Sequence, residues 1–246
     1  MRKIATKFCW TAYDHLGGLI VLNLVWTALS LPWILVGYML VGLGTNLSPW
    51  GGFTTAFLAV ELVVFAPPTM LLFLAGACWA RGEKIQAKTL FAEVRRFALR
   101  AQLLGLVLVV LSLILVLNIY FYQQFNGWPG LILSTIMVWF LVAALLLSMY
   151  LFPLLTVQDE RVWYILRQSF LLAIDNIKLS FGLLLMTLFT FFFGIVSGIG
   201  LFCGLLAALA LLLSICFREL LPKYTGEPLP EEAPRKWREL IRPWEG

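Results

Sequence analysis

The chain has 246 residues, of which 61% are hydrophobic and 13% are charged, and its formal net charge is +5. In soluble domains about 25% of residues are charged, so this composition predicts an integral membrane protein and excludes a large soluble domain. The positive charge does not indicate nucleic-acid binding. All the basic residues flank apolar segments, where anionic lipid and membrane topology account for them.

Charge-poor apolar segments predict the membrane spans, since a bilayer core roughly 30 Å thick requires about 20 apolar helical residues for each crossing. The segment at 179–217 is too long for one crossing and contains the glycine-rich stretch "GIVSGIG" at 194–200. We therefore predict two helices there, joined by a tight hairpin. The sequence predicts an all-α integral membrane protein with six transmembrane helices arranged as three hairpins. The predicted spans are about 17–43, 53–79, 101–122, 131–157, 179–196 and 200–217.

The basic residues predict the orientation of these spans. Cytoplasmic loops collect Lys and Arg, whereas short translocated loops avoid them. All 18 basic residues lie before the first span, between the second and third, between the fourth and fifth, or in the tail. The alternate connections "GTNLSPWGG", "QQFNGWPG" and "GIVSGIG" contain none. We predict that both termini are cytoplasmic and that residues 1–217 form a single membrane domain.

Amphipathic segments precede each predicted hairpin on the cytoplasmic side. The stretch "TLFAEVRRFALRAQ" sets apolar residues at near-helical spacing against Arg95 and Arg96, and "RVWYILRQSFLLAIDNIK" at 161–178 does so with Arg161 and Arg167. Both predict helices at the membrane interface, and "KFCWTAYDHLGGL" is a shorter version. The four arginines are candidate contacts for anionic lipid head groups or for a cytoplasmic partner. The threefold recurrence is either a weak internal repeat or a property of any hairpin-rich membrane protein.

The segment 218–246 changes character and predicts a cytoplasmic tail. It begins with turn-forming Gly and Pro, and its last part places Trp237, Leu240, Ile241 and Trp244 at helical spacing. This pattern predicts a short basic amphipathic helix at about 234–244 on the inner membrane surface. A disordered tail is the alternative.

Four stretches of the chain carry a family resemblance. They are "DHLGGLIVLNLVWTALSLP" at 14–32, "APPTMLLFLAGACWARGEKI" at 66–85, "LNIYFY" at 117–122 and "YLFPLLTVQDERVWYILRQSFLLAIDN" at 150–176. Together they resemble the YesL family of bacterial membrane proteins, a family of unknown function. Its members are multi-spanning and often lie beside genes for carbohydrate uptake by ATP-driven transporters. The resemblance therefore implies a bacterial cytoplasmic membrane protein with sugar-transporter subunits as partners.

The chain departs from the family pattern in the roughly 34 residues that separate Pro32 from Pro67, and Glu61 lies in this extra segment.

Glu61 is the only acidic residue clearly inside a predicted span. An ionised side chain at mid-membrane costs roughly 2.5 to 3.5 kcal/mol on insertion scales, so such residues usually face a cavity, pair with another group or become protonated. The spans contain no Lys, Arg or His, and the candidate partners are neutral groups on one face of the first span, namely Asn23, Thr27 and Ser30. Glu61 with Asn23 is a candidate coupling site for a proton or solute. The alternative is a neutral glutamic acid that holds two helices together.

Pro67 and Pro68 interrupt the second predicted span. They remove two backbone donors and free the carbonyls of Val63 and Val64, and Pro68 also disfavours helical geometry at the residue before it. A kink or break at 63–68 is expected. Discontinuous helices near the midplane form the binding sites of some transporters, and prolines also shape membrane helices without any role in binding.

The sequence predicts no enzyme, cofactor or metal site. The four cysteines form no C-x-x-C pair, no phosphate-binding G-x-x-x-x-G-K-[ST] motif occurs, and no span contains a histidine to activate a serine. Two functions remain open. The first is a non-enzymatic accessory protein linked to carbohydrate uptake, which the family resemblance implies. The alternative is a small-solute transporter or channel that uses the kinked second span and Glu61.

Overall fold

The computed structural model describes residues 2–46, 49–83, 85–125, 127–158, 160–197 and 204–226. In these ranges the chain is almost entirely helical and forms no β-strand. The helices are α1 (Arg2–Asp14), α2 (Leu16–Thr45), α3 (Pro49–Val64), α4 (Thr69–Arg81), α5 (Ala87–Gln123), α6 (Trp128–Val157), α7 (Val162–Asp175), α8 (Ile177–Ser197) and α9 (Leu205–Thr225). The predicted all-α class is confirmed.

Four of the described helices, α2, α5, α6 and α9, are long and apolar enough to cross a membrane. Two further crossings are possible if each of two bent helix pairs is counted as one span. The first pair is α3 with α4, which meet at 54°, and the second is α7 with α8, which meet at 100°. The protein is thus a helical membrane protein with four to six candidate spans.

The amphipathic segment around Arg95 and the third predicted span form one continuous helix, α5. We expected an interfacial helix followed by a separate crossing. Between Ala87 and Gln123 the sequence contains no proline and a single glycine, Gly105, so nothing interrupts the backbone hydrogen bonds. At 1.5 Å per residue the 37 residues of α5 reach about 55 Å, which extends well beyond the bilayer core. The expected change of direction does occur between α7 and α8.

The buried core lies where α4, α9 and the C-terminal half of α6 meet. Every residue of α4 from Thr69 to Ala77 is buried, as are Met149–Leu155 of α6 and Leu209–Phe217 of α9. Gly76 permits the close approach of α4 to α9, because a Cβ atom there would lie 3.2 Å from the carbonyl oxygen of Ala210. Small residues at such contacts are the usual means by which membrane helices pack closely.

Helices α2, α5 and α8 lie around this core and expose large apolar side chains. Examples are Met39 of α2, Leu106 of α5 and Leu185 of α8, which are exposed by 66%, 59% and 66%. Apolar exposure on this scale is rare on soluble proteins and is the expected surface of a helix that faces lipid. Residues 198–200 of the predicted hairpin stretch at 194–200, residues 201–203 of the last predicted span, and the predicted tail helix at 234–244 lie outside the described residues.

Candidate functional site

The chain breaks between α3 and α4 at the two prolines. The last regular hydrogen bond of α3 runs from the Phe65 amide to the Glu61 carbonyl oxygen, at 2.8 Å. Pro67 and Pro68 cannot donate, so the helical pattern stops there and resumes when the Thr69 amide donates to the Ala66 oxygen, at 2.9 Å. The result is the 54° bend between the two helices. Gly105 of α5 packs against this bend, because a Cβ atom there would lie only 2.8 Å from the Phe65 carbonyl oxygen.

Glu61 lies one turn before the break and is 6% exposed. The Ser112 hydroxyl on α5 donates a hydrogen bond to Glu61 Oε1, at 2.8 Å. Glu61 Oε2 is buried and has no hydrogen-bond donor among the described residues. The side chain therefore joins α3 to α5 through one oxygen and leaves the other available.

The partner of Glu61 differs from the partners that the sequence suggested. We expected a neutral group on α2, with Asn23, Thr27 and Ser30 as candidates. Asn23 and Ser30 are fully buried on α2, and the Thr27 hydroxyl donates to the Asn23 carbonyl oxygen at 2.9 Å within the helix. The hydrogen bond to Glu61 comes instead from α5, which crosses the break. The sequence alone does not show which helices touch. It therefore gives no reason to select Ser112 over the other serines as the partner of Glu61.

A cavity of about 370 Å³ lies beside Glu61, between α3, α4, α6, α8 and α9. Its walls are almost entirely apolar, and the polar side chains among the described lining residues are few. They are Glu61, Thr69, Ser148 and Thr187, with the indole of Trp26. The volume falls at the lower end of the roughly 300–1,000 Å³ that small-molecule sites occupy. The cavity is large enough for a small organic molecule.

Most of the polar groups in the cavity wall are already engaged. Trp26 Nε1 donates to the Thr69 hydroxyl at 2.9 Å, which ties α2 to the first turn of α4. The Ser148 hydroxyl donates to the Leu145 carbonyl oxygen at 2.7 Å within α6. The Thr187 hydroxyl, like Glu61 Oε2, is buried and has no hydrogen-bond partner among the described residues. Glu61 and Thr187 are therefore the lining residues with a buried side-chain oxygen that no described residue bonds.

The cavity opens at the side of the helix bundle. Val60 of α3 and Leu188 of α8 both line the cavity and are exposed by 42% and 51%. Both side chains are apolar and lie among other exposed apolar residues. The edge of the cavity beside them is therefore apolar.

The remaining predicted site residues lie elsewhere. Asn23 is fully buried on α2, and α2 contributes Trp26 but not Asn23 to the described cavity wall. Arg95, Arg96, Arg161 and Arg167 are exposed, on the N-terminal part of α5 and at the start of α7. The structure does not bring these four arginines together with Glu61 and the cavity.

A second polar cluster joins the bend between α7 and α8 to the end of α9. Lys223 Nζ lies 2.5 Å from Asp175 Oδ2, and the Tyr224 hydroxyl also donates to this oxygen. The side-chain amide nitrogen of Asn176, Nδ2, donates to the Tyr224 hydroxyl oxygen at 2.6 Å. The hydrogen bonds from Lys223 and Tyr224 lower the pKa of the Asp175 carboxyl below its usual value. Sequence reasoning missed this cluster, because its members come from segments 48 residues apart in the chain.

Chemically, the described part of the site offers one carboxyl in an apolar wall. Among the described residues no three His, Cys, Asp or Glu side chains lie close enough to hold a metal ion. Glu61 is the only ionisable side chain in the described part of the cavity wall. The arrangement is that of an apolar binding chamber with a single carboxyl.

Comparison with protein-family models, with curated proteins and with solved structures finds no match for this chain. The class of protein is thus defined by its helical membrane fold and by the cavity beside Glu61. The resemblance to the YesL family gains no support from these comparisons and depends on the four sequence stretches alone.

Proposed function

We propose that this is a six-span, non-enzymatic protein of the bacterial cytoplasmic membrane, with three hairpins and both termini in the cytoplasm. The basic residues support this topology, because all of them flank the proposed spans on one side. Contacts between the corresponding segments support it further. Lys7 Nζ of α1 lies 3.3 Å from Glu219 Oε1 of α9. Lys223 of α9 contacts Asp175 at the end of α7.

The function that the geometry supports best is binding of a small, largely apolar solute inside the membrane, as a step in its transport. The observation that carries this proposal is the cavity at the break of the second span, with the buried Glu61 in its wall. Broken helices form solute sites in transporters because the half-helix ends and the unwound backbone between them can contact the solute. A buried acid in a membrane helix is costly, so its presence beside a cavity favours a binding role over a purely structural one.

Binding of the neutral hydrocarbon 2-isobutylnaphthalene tests this proposal. Equilibrium dialysis of the protein in lipid nanodiscs, against empty nanodiscs, measures the amount bound. We expect saturable binding to the wild-type protein and loss of that binding in Ala56→Phe, which fills the cavity from α3. Ala28→Phe is the matched control, because Ala28 is exposed on α2 and lies outside the cavity. Equal binding to both variants would contradict the proposal, as would the absence of saturable binding both of this hydrocarbon and of an amine of the same size.

A second candidate function is the accessory role that the YesL resemblance implies. The exposed arginines at the N-terminal part of α5 and the start of α7 favour it, because they present positive charge to a cytoplasmic partner. In this role the chain assists carbohydrate uptake by docking onto subunits of an ATP-driven transporter. Anionic lipid head groups are the competing ligand for the same charges.

Co-purification after cross-linking in native membranes tests the accessory role. We expect sugar-transporter subunits to appear with the wild-type protein and to be depleted when Arg95 and Arg96 are both changed to Gln. Recovery of lipid alone, with no transporter subunit, would show that these arginines read the membrane surface.

A further inference from the structure

The cavity beside Glu61 has the chemistry of a site for one class of solute. We propose that it binds a lipophilic ammonium ion, that is, an apolar molecule that carries a protonated amine, and that the amine pairs with the Glu61 carboxylate. This inference rests on the proposed solute-binding function and names its ligand class. Charge, aromatic surface, free hydrogen-bond capacity and lipid access each support it.

The charge of the cavity is complementary to a cation. Glu61 is the only ionisable residue in the described wall, and no Lys, Arg or His accompanies it. An anionic solute would meet a carboxyl with no positive group to offset it, whereas an ammonium ion supplies the missing counter-charge. Inside a membrane, where water does not compete, such a pair is favoured over either buried charge alone.

Aromatic side chains surround the same space. The aromatic residues of the described wall are Trp26, Phe57, Phe65, Phe73 and Phe152. The Phe152 ring stacks on Phe73 with centroids 5.1 Å apart and on Phe65 at 6.0 Å. Aromatic faces attract ammonium ions, and clusters of such rings are used to recognise alkylated amines. A neutral hydrocarbon gains only apolar contact from these rings.

The hydrogen-bond capacity of Glu61 matches a donor rather than an acceptor. Ser112 already donates to Oε1, which leaves Oε2 as an acceptor that no described residue uses. A protonated amine supplies the N–H that this oxygen lacks, and a charge-assisted hydrogen bond of this kind is stronger than a neutral one. The Thr187 hydroxyl, also unused, lies in the same cavity wall and can accept from a second N–H.

The route to the cavity suits a solute that partitions into lipid. Val60 and Leu188 at the edge of the cavity are apolar and exposed, as expected of a surface that contacts lipid. Amphiphilic amines concentrate in membranes because their apolar part is buried and their charged end remains at the interface. Such a solute reaches the opening from the bilayer without crossing an aqueous vestibule.

Three probes that share a naphthylmethyl group and differ in charge test the ligand class in nanodiscs. They are N,N-dimethyl(2-naphthylmethyl)amine, the hydrocarbon 2-isobutylnaphthalene and the anion 2-naphthylacetate, each measured by equilibrium dialysis against empty nanodiscs at neutral pH. We expect the wild-type protein to bind the amine at least about tenfold more tightly than the hydrocarbon, since a charged hydrogen-bonded pair replaces apolar contact alone. The anion should bind most weakly.

Variants at position 61 test whether Glu61 causes the preference for the amine over the hydrocarbon. Glu61→Gln should lose that preference for the amine while it retains the affinity for the hydrocarbon, which also shows that the variant is folded. Glu61→Asp, which retains the charge, should keep part of the preference.

Equal affinity of the wild-type protein for the amine and the hydrocarbon would overturn the ligand class and leave the proposed solute-binding function standing. An unchanged preference in Glu61→Gln would likewise remove Glu61 as the pairing group. If no probe binds the wild-type protein above empty nanodiscs, the solute-binding function itself is wrong, and the ligand class falls with it.

Discussion

The two halves of the broken helix, α3 and α4, are both apolar in sequence but differ in their surroundings. Every residue of α4 from Thr69 to Ala77 is buried against α9, α6 and α5. In α3, by contrast, Ala59 and Glu61 are the only residues whose described side chains are buried. The break thus separates a helix that is buried in the core from one that is only partly buried, and residues of both line the cavity.

This division explains why the acid lies on α3 rather than on α4. A carboxyl within the α4 contacts would have to be desolvated among closely packed apolar groups, at a cost of several kcal/mol. On α3 the carboxyl has Ser112 at 2.8 Å and a cavity beside it. The prolines therefore serve the site indirectly, because they let α3 depart from the packed core.

The largest expected effect comes from adding the same bulk to each half. Ala75 of α4 is 0% exposed, so Ala75→Leu overpacks the core and should lower the free energy of unfolding by about 1–3 kcal/mol. Ala56→Leu, on the cavity side of α3, should cost much less because the cavity accepts the added atoms. Thermal unfolding in detergent, followed by tryptophan fluorescence, measures both. Equal destabilisation by the two variants would remove the contrast between the halves.

The joint between the halves should be the next most sensitive position. A Cβ atom at Gly105 would lie 2.8 Å from both the Cβ and the carbonyl oxygen of Phe65, so Gly105→Ala must displace α5 or the bend. We expect a net loss of about 1 kcal/mol, because the clash exceeds the gain in helix propensity.

Gly42→Ala is the matched control for this joint, since a Cβ atom at Gly42 of α2 meets nothing within 4 Å. The control should be neutral or slightly stabilising in the same thermal assay. If Gly105→Ala is equally harmless, α5 does not hold the bend.

Much of this architecture follows from the sequence, and the reason is that it depends on local patterns. Apolar length and the distribution of charge predicted an all-α membrane protein, and two adjacent prolines predicted an interruption at 63–68, where the structure has its bend. The continuity of α5 was missed because the change from an amphipathic to an apolar pattern near Arg100 suggested a boundary. A helix ends only where its backbone hydrogen bonds are interrupted, and no residue there interrupts them.

The site was less accessible to sequence reasoning, because it depends on contacts between distant segments. Glu61 could be selected as the one acid inside a span, but Ser112, which bonds to it, lies 51 residues away. The cavity is formed by residues from six helices, most of them ordinary Leu, Phe and Ala. No single-residue signal marks such residues, and only the relative positions of the helices assemble them.

Buried hydrogen bonds on the two sides of the break should have smaller and similar effects. A double-mutant cycle of Glu61→Leu with Ser112→Ala isolates the hydrogen bond between α3 and α5. A cycle of Trp26→Phe with Thr69→Val isolates the hydrogen bond between α2 and α4. Hydrogen bonds between membrane helices contribute about 0.6 kcal/mol on average, so each coupling energy should be near this value in thermal unfolding. Purely additive effects in the α3 cycle would show that Ser112 does not support Glu61 energetically.

The smallest effect is expected at the other bend, between α7 and α8, which is held by an exposed cluster. The side chains of Asp175 and Lys223 are about half exposed, at 52% and 51%, so solvent and salt screen their attraction. Asp175→Asn should therefore lower the unfolding temperature only slightly at pH 7 and less still in high salt. Glu93→Gln, which removes an exposed charge on a different helix, α5, is the control for the change in net charge.

The sign of the pH dependence follows from the lowered pKa of Asp175. Its usual value is 3.8, and the hydrogen bonds from Lys223 and Tyr224 lower it in the folded protein. The stabilisation is fully present above the unfolded value and is lost as the pH falls through the lower, folded value. The difference in unfolding temperature between the wild-type protein and Asp175→Asn should thus be constant from neutral pH down to about pH 5 and shrink below it. A difference that persists in strong acid would mean that Asp175 stabilises the bend through hydrogen bonds that survive its protonation, and not through its charge.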